Sequence, residues 1–349
     1  MAKERLTWVD AVKGFLMVLV VIGHYSGPLP VESPLITYIY WFHMPAFFLL
    51  SGMFFKPIAD NSQLKPAIHK RFMQLMVPYL FFLLLLTFFK YGMMIGDGTL
   101  TSAFLRHDLI ELTVGGRFLR GEHGVFWFVT VMFATYLLFL WITRQKRWLQ
   151  FTILAGCYIA AQLEGSFAMG LASEPDAASA QIPMIWNLDV VLIAVVYFAI
   201  GYYFKAFWMN IPKLAIGITA AIVAFAMAAD GFGAINYHLS LKFLRYDHFL
   251  LDLIIPIAMT ALIVGIFQQM TAIKRLPWFE KIEKHSISIM YLHIFVGFIV
   301  RDMLPYNILT YTLAGLFVPI VLSILIPKTI PLGEILIGRF NPRKHMRLS

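Results

Sequence analysis

Long apolar blocks run the length of this chain, separated by short polar stretches that carry Lys, Arg, Pro and Gly. A helix needs roughly 20 mostly apolar residues to cross a bilayer, because each residue rises only about 1.5 Å. Ten blocks answer that description: 8–28, 35–55, 72–95, 125–142, 149–164, 184–204, 212–230, 247–270, 285–304 and 308–326. The block at 149–164 is short and flanked by charge. The pattern predicts an all-α integral membrane protein, a bundle of about ten transmembrane helices forming one domain over 1–349.

The connections carry their own signals. Within 96–124, SAFLRHDLIEL predicts a short amphipathic helix lying on the membrane surface. EGSFAMGLASEPDAASAQIP, 164–183, is small, acidic and proline-containing, and predicts an irregular outer connection. The opening MAKERLTWVDAVKG starts with charges as a signal peptide would. Asp10 and Lys13 then interrupt the apolar run, and no A-x-A-like site is evident, so a retained signal-anchor helix is expected. No internal repeat of the kind found in transporters is apparent.

Composition and charge sharpen this picture. Of 349 residues, 60% are hydrophobic and 13% charged, against about 25% charged in soluble domains. With the N-terminus inside, the inner pieces hold 20 of the 28 Lys and Arg, among them Lys3, Arg5, Lys70, Arg71, Lys284, Arg339, Arg343, Lys344 and Arg347. The outer loops hold five: Arg106, Arg117, Arg120, Lys242 and Arg245. Lys13, Lys90 and Arg301 fall inside the blocks. This asymmetry predicts that both termini are cytoplasmic, with a basic tail at about 327–349. The net charge of +9 is thereby accounted for by topology and does not call for nucleic acid. A single cysteine, Cys157, excludes an internal disulfide and a Cys-rich metal site.

Ionisable side chains inside a membrane are costly and point to function. The first block carries Asp10, Lys13 and His24. Eleven residues rotate a helix about 1100°, some 20° past three turns, so Lys13 and His24 share a face about 16 Å apart along the axis. Asp10, three residues before Lys13, is a candidate intrahelical partner for it. The plainer alternatives are that Lys13 snorkels to lipid phosphates and that His24 bonds a neighbouring helix.

In YIYWFHMPAFFLLSGMFF, His43 precedes Met44-Pro45, where the proline predicts a kink, and Ser51-Gly52 permits close helix approach. HKRFMQLMVPYLFF, 69–82, opens with a cationic cluster in which Arg71 can bind phosphate through its planar fork or serve as an ordinary inside charge. Trp127, Trp186, Asp189, His248, Asp252 and Arg301 fall in the outer halves of later blocks. His248 and Asp252 share a helical face, one spacer short of the H-x4-D pair of soluble glycerolipid acyltransferases. His293, in HSISIMYLHIF, sits on an apolar background below mid-membrane. No H-E-x-x-H, P-loop, dinucleotide fingerprint or G-x-S-x-G elbow occurs.

Taken together, these pieces resemble the acyltransferase-3 family of multi-pass membrane O-acyltransferases, and within it the fucose 4-O-acetylase-like branch. RLTWVDAVKGFLMVLVVIGH, 5–24, is similar to the family's first-helix motif: an Asp, a basic residue three later, and a His further along. WFHMPAFFLLSG, KRFMQLMVPY, VFWFVTVMF, WNLDVVLIAVVYFAIGY and HSISIMYLH resemble successive later blocks in their usual order, so the likeness covers nearly the whole chain. The family usually has arginine at Lys13. Lysine there suits the branch, but it keeps the charge without bidentate phosphate geometry. An extra esterase-like domain carried by some members is not apparent, so transfer is expected to finish within the membrane domain or pass to a separate protein.

The resemblance implies acetyl-CoA, or another acyl-CoA, as cytoplasmic donor, no metal, and a hydroxyl of a cell-envelope carbohydrate or lipid-linked saccharide as acceptor. It implies residence in a bacterial inner membrane. Lys13, Arg71 and Lys70 lie where CoA phosphates would wait. His24 is then the general base or acyl carrier, oriented by an acidic group such as Asp10 or Asp189. His43 would be a second proton relay or oxyanion donor, and Trp127, Trp186 and Asp189 would line a sugar site. The competing expectation is a non-enzymatic exporter of a lipid-linked saccharide that uses the same ionisable residues as a proton path.

Overall fold

The apolar blocks become helices, since within a bilayer only bonds inside the segment satisfy the backbone of a single span. The structure, a computed structural model, describes residues 6–27, 34–246 and 248–340, without the side chains of 175, 176 and 178. Lys3, Arg5, Arg343, Lys344 and Arg347 of the charge count lie outside the described residues.

In chain order the first helices are α1 (Thr7–Gly23), α2 (Leu35–Tyr40), α3 (His43–Met53), α4 (Leu64–Gly96) and α5 (Ser102–Val114). Next come α6 (Trp127–Ile142), α7 (Arg147–Leu171), α8 (Pro175–Ala180), α9 (Val191–Tyr203), α10 (Lys205–Met209) and α11 (Lys213–Gly231). The last are α12 (Leu251–Ile273), α13 (Pro277–Lys284), α14 (Ser286–Met303), α15 (Ile308–Thr329) and α16 (Gly333–Leu336). A two-residue hairpin, β1 (Leu239–Ser240) paired antiparallel with β2 (Arg245–Tyr246), is the strand structure among the described residues.

Eight helical segments among the described residues are long and apolar enough to cross a membrane. The other two expected spans, 8–28 and 149–164, correspond to α1, with 17 residues, and to α7, whose 25 residues include Arg147, Gln150, Gln162 and Glu164. On the outer helices Leu84, Phe88, Leu214 and Phe225 are exposed. A bilayer accommodates such apolar faces, which water would penalise. The chain is an all-α integral membrane protein.

Three local expectations are corrected. The connection at 164–183 is not irregular throughout: α7 continues to Leu171 and α8 follows. The second block is broken ahead of its proline, at Trp41–Phe42, where Phe42 has φ −146° and ψ −23°. Pro45 has no N–H to donate and is tolerated in the first turn, so α3 begins just before it. The segment after α15 is not simply a tail, because α16 packs back against α4 and α15. The sequence SAFLRHDLIEL expected to be helical forms α5, without a marked apolar face. It explains Lys90, whose Nζ donates to Asp108 Oδ1 at 2.6 Å while Tyr91 donates to Oδ2 at 2.7 Å.

Helix α1 is the seam of the molecule. Trp8, Val9, Ala11, Val12 and Leu16 join one apolar core with residues of α3, α6, α9 and α12. Met17, Val20 and Val21 join a second core with residues of α4, α14 and α15. The first core takes the N-terminal half of α1 and the second its C-terminal half.

The close approach expected at Ser51-Gly52 is realised against α9. A Cβ on Gly52 would strike the Phe198 carbonyl, and one on Gly201 would strike the Leu49 carbonyl. Backbone cannot yield as a side-chain tip can. Gly52→Val should destabilise the bundle by at least about 1–3 kcal/mol, the usual cost of overpacking, read as a lower thermal midpoint in detergent. A native midpoint in that variant would show that the two helices stand further apart.

Candidate functional site

Three cavities follow one another along α1. At its Lys13 end lies a chamber of about 300 Å³ whose walls include Lys13, Arg71, Gln74, Ser51 and Glu283. It narrows into an apolar neck of about 30 Å³, sharing Met17, Phe47, Phe128 and Met290 with it. The neck shares His24, Met44 and Trp127 with a third cavity of about 230 Å³, which also holds Tyr40, His43, Arg120 and Lys242. Beyond, Tyr40, Leu239, Ser240 and Phe243 connect that cavity to an open groove of about 530 Å³.

The chamber is cationic by construction. The Arg71 guanidinium carbon lies 5.3 Å from the Tyr136 ring centre, and its buried Nε has no hydrogen-bond partner. Lys13 Nζ lies 5.7 Å from the Phe54 ring centre. An orphaned guanidinium N–H is costly to bury, so the chamber suits an anion. Lys70 is exposed and does not line it.

At the other end, three histidines converge with the same local geometry. His24 closes α1, and its Nδ1 lies 2.8 Å from the Val20 carbonyl oxygen. His43 opens α3 with Nδ1 2.7 Å from Ile39 O, the carbonyl that an unbroken helix would have bonded to the His43 backbone. His293 on α14 places Nδ1 2.8 Å from Ile289 O. A carbonyl only accepts, so each Nδ1 carries the donated proton, and each neutral ring presents Nε2 as a lone pair turned away from its own helix.

The His24 and His293 rings stand 5.0 Å apart, edge to face, and Tyr40 bridges towards His43 with a ring separation of 5.0 Å. The His293 Nε2 is buried with no partner. The Tyr40 hydroxyl donates to Gly23 O at 3.3 Å, holding the break before α3 against the end of α1. The result is a pocket of proton acceptors at the far end of a greasy neck. Among the described residues there is no group of three or more His, Cys, Asp or Glu arranged to hold a metal ion.

The remaining sequence candidates divide between the cavities and the packing around them. Asp10 is buried on α1, but fourteen residues separate it from His24, about 21 Å of helix, so it does not orient that ring. Trp127 lines both the neck and the histidine cavity. Trp186 and Asp189 line neither. Asp189 is buried in an ion pair with the fully buried Arg117, and its Oδ1 accepts from Val190 N at 2.8 Å.

Beside that pair, Trp186 and Asn187 both adopt φ 55°. Asn187 Oδ1 accepts from Arg117 N at 2.7 Å, its Nδ2 donates to Lys242 O at 3.0 Å, and Thr130 donates to Trp186 O at 3.0 Å. Such bonds hold strained residues in place. They also fix Lys242, whose Nζ reaches Leu119 O at 2.8 Å and Gly124 O at 2.9 Å at the cavity wall. Asp252 serves the fold too: its Oδ2 accepts from the His248 backbone at 3.2 Å and from Gln162 at 3.0 Å.

Sequence reasoning gave Tyr40, Arg117, Asn187 and Lys242 no such parts, and noted His293 without assigning it one. A usable signal existed for Tyr40, three residues before His43. The others are brought in by long-range packing that no spacing encodes.

The acyltransferase-3 family, described as an acyltransferase domain, matches residues 6–327. Nodulation protein NolL of Mesorhizobium japonicum is 29% identical over 145 residues, covering 40% of this chain and 36% of that protein. Nodulation protein NolL of Sinorhizobium fredii is 29% identical over 144 residues, covering 39% and 36%. The matches thus span about a third of the length of these curated relatives. No solved structure matches. With nearly the whole chain inside the family's match and the fold a bundle of apolar helices, the protein belongs to the acyltransferase-3 family and is an integral membrane protein.

Proposed function

We propose that this protein moves an acetyl or related acyl group from cytoplasmic acyl-CoA to a hydroxyl of a cell-envelope carbohydrate or lipid-linked saccharide. The observation that carries the reading is the series of cavities with shared walls, from the Lys13–Arg71 chamber through the apolar neck to His24. At about 30 Å³ the neck is far too small for a nucleotide. The roughly 16 Å from Lys13 to His24 along α1 is of the scale of an extended pantetheine arm. The loop-charge asymmetry supports a cytoplasmic Lys13 end, and the bacterial relatives support an inner membrane.

An alcohol is a weak nucleophile at neutral pH, and His24 Nε2 supplies the missing base. As the acceptor oxygen bonds to the thioester carbonyl carbon, its proton passes to Nε2. The C–S bond then breaks and the departing CoA thiolate takes that proton, returning His24 to its neutral form. His293 supplies a second lone pair beside the developing imidazolium, and Tyr40 with His43 borders the acceptor side. Trp127, Tyr40 and Phe243 offer aromatic faces suited to sugar C–H groups. Attack by Nε2 itself, giving an acyl-imidazole, is the two-step version of this chemistry.

The test is CoA release by the purified chain from acetyl-CoA in the presence of a crude envelope-glycan extract. Release that depends on the extract is expected. Intact-protein mass measured after acetyl-CoA without acceptor separates the one-step from the two-step route. A folded chain that neither releases CoA nor binds acetyl-CoA across several extracts would remove the reading and leave saccharide export as its replacement.

A further inference from the structure

The Lys13–Arg71 chamber does not end at the protein surface. It opens into a further cavity of about 480 Å³, with which it shares Glu283, Ser286, Ile287 and Gly338. The remaining walls are Lys284 and His285, at the junction of α13 and α14, and Ile337 and Arg339, just past α16. Glu283 is the acid among these lining residues, set against Lys284 and Arg339.

The segment after α15 is built to form this wall. Gly338 has φ +80°, and a Cβ there would strike Ile287 and approach the Gln74 carbonyl at 3.0 Å. Arg339 N donates to Glu334 O at 2.7 Å, closing the turn after α16. From the end of that turn, Arg339 Nη2 donates to Lys284 O at 3.2 Å and to His285 Nδ1 at 3.1 Å. His285 Nδ1 also lies 2.6 Å from Ser323 Oγ on α15. The guanidinium is thus held across the mouth by atoms of two other helices.

We infer that this mouth is a binding site for the 3′-phosphorylated nucleotide of the donor, with Arg339 and Lys284 holding the ribose 3′-phosphate. The inference rests on the acyl-CoA reading above and extends it to a part of the chain that the reading does not use. With the thioester at His24, the pantetheine arm fills the neck and the pyrophosphate reaches Lys13 and Arg71. The nucleotide, too wide for the neck, must then lie outward of that chamber. The adjoining cavity provides the volume and the two cations. Arg339 offers the planar fork that Lys13 lacks.

The test measures equilibrium binding of acetyl-CoA and of 3′-dephospho-acetyl-CoA to the full chain in phosphatidylcholine nanodiscs, where no anionic lipid competes. The native protein should prefer acetyl-CoA by about tenfold or more, the scale of charge-assisted bonds to one phosphate. Arg339→Gln should bring that ratio close to one while leaving the dephospho affinity unchanged, and Lys284→Gln should lower it in part. Thermal midpoints verify that the variants are folded, and if Arg339→Gln is not, Lys284→Gln carries the test.

A ratio unchanged in the folded variants would overturn the site. A native ratio near one would do the same and assign the cations to lipid headgroups, a change that adding phosphatidylglycerol would reveal. Native protein that binds neither probe would overturn the acyl-CoA reading itself. Binding of both with equal affinity overturns only this inference.

Discussion

His24→Ala is expected to lower acyl transfer by about a hundred- to ten-thousand-fold, the usual contribution of a positioned general base. The substitution takes away the Nε2 lone pair at the point where the neck meets the outer cavity. It takes away little else. The His24 Nδ1 bond is to Val20 within the same helix, and its backbone N–H already bonds Val21 O at 3.2 Å. The variant should therefore keep its thermal midpoint and still bind acetyl-CoA at the far end of the neck. CoA release with envelope-glycan extract, measured beside binding, separates these quantities. A variant retaining a tenth or more of native turnover would exclude His24 as the base and move the role to His293 or His43.

Asp189→Ala is expected to carry the largest effect on stability. Its carboxylate and the Arg117 guanidinium are both inaccessible to solvent, and removing one partner of such a pair costs about 3–5 kcal/mol because a buried charge is left uncompensated. The loss would spread, since Arg117 also bonds Asn187 through its backbone and side chain, and Asn187 holds the segment of Lys242. The measurement is the thermal midpoint in detergent, with Arg117→Met combined with Asp189→Leu as the companion. The single variant should be severely destabilised and the double variant recovered in part, because the buried guanidinium no longer stands without its carboxylate. A single variant as stable as the native chain would show that water reaches Arg117. The result bears on function as well: loss of activity in an Asp189 variant would report a collapsed outer wall, not a missing sugar contact.

Asp189 shows how a residue singled out by its chemistry can meet a partner that its own segment does not reveal. A carboxylate in an apolar block signals a special environment. Whether that environment is a ligand or an arginine depends on what packs opposite, and Arg117 comes from a loop far away in sequence. Lys70 and Arg71 give a similar lesson at shorter range. They are adjacent, so helical geometry turns them some 100° apart, and only Arg71 faces the chamber. His43 was legible as unusual, but the break before it falls at Trp41–Phe42, with Tyr40 holding the turn against α1.

By itself the sequence determined the helices, the membrane environment and the family. It also determined the common face of Lys13 and His24, because apolar periodicity and the helical repeat are local properties of one segment. Tertiary structure decided the rest: that His293 stands beside His24, that Met17, Phe47, Phe128 and Met290 line a neck, and that residues 337–339 return to wall the cavity next to the Lys13–Arg71 chamber. Each joins side chains from different helices. Those meetings are fixed by which helices pack together and how closely their backbones approach, as at Gly52 and Gly201, and no single segment contains that information.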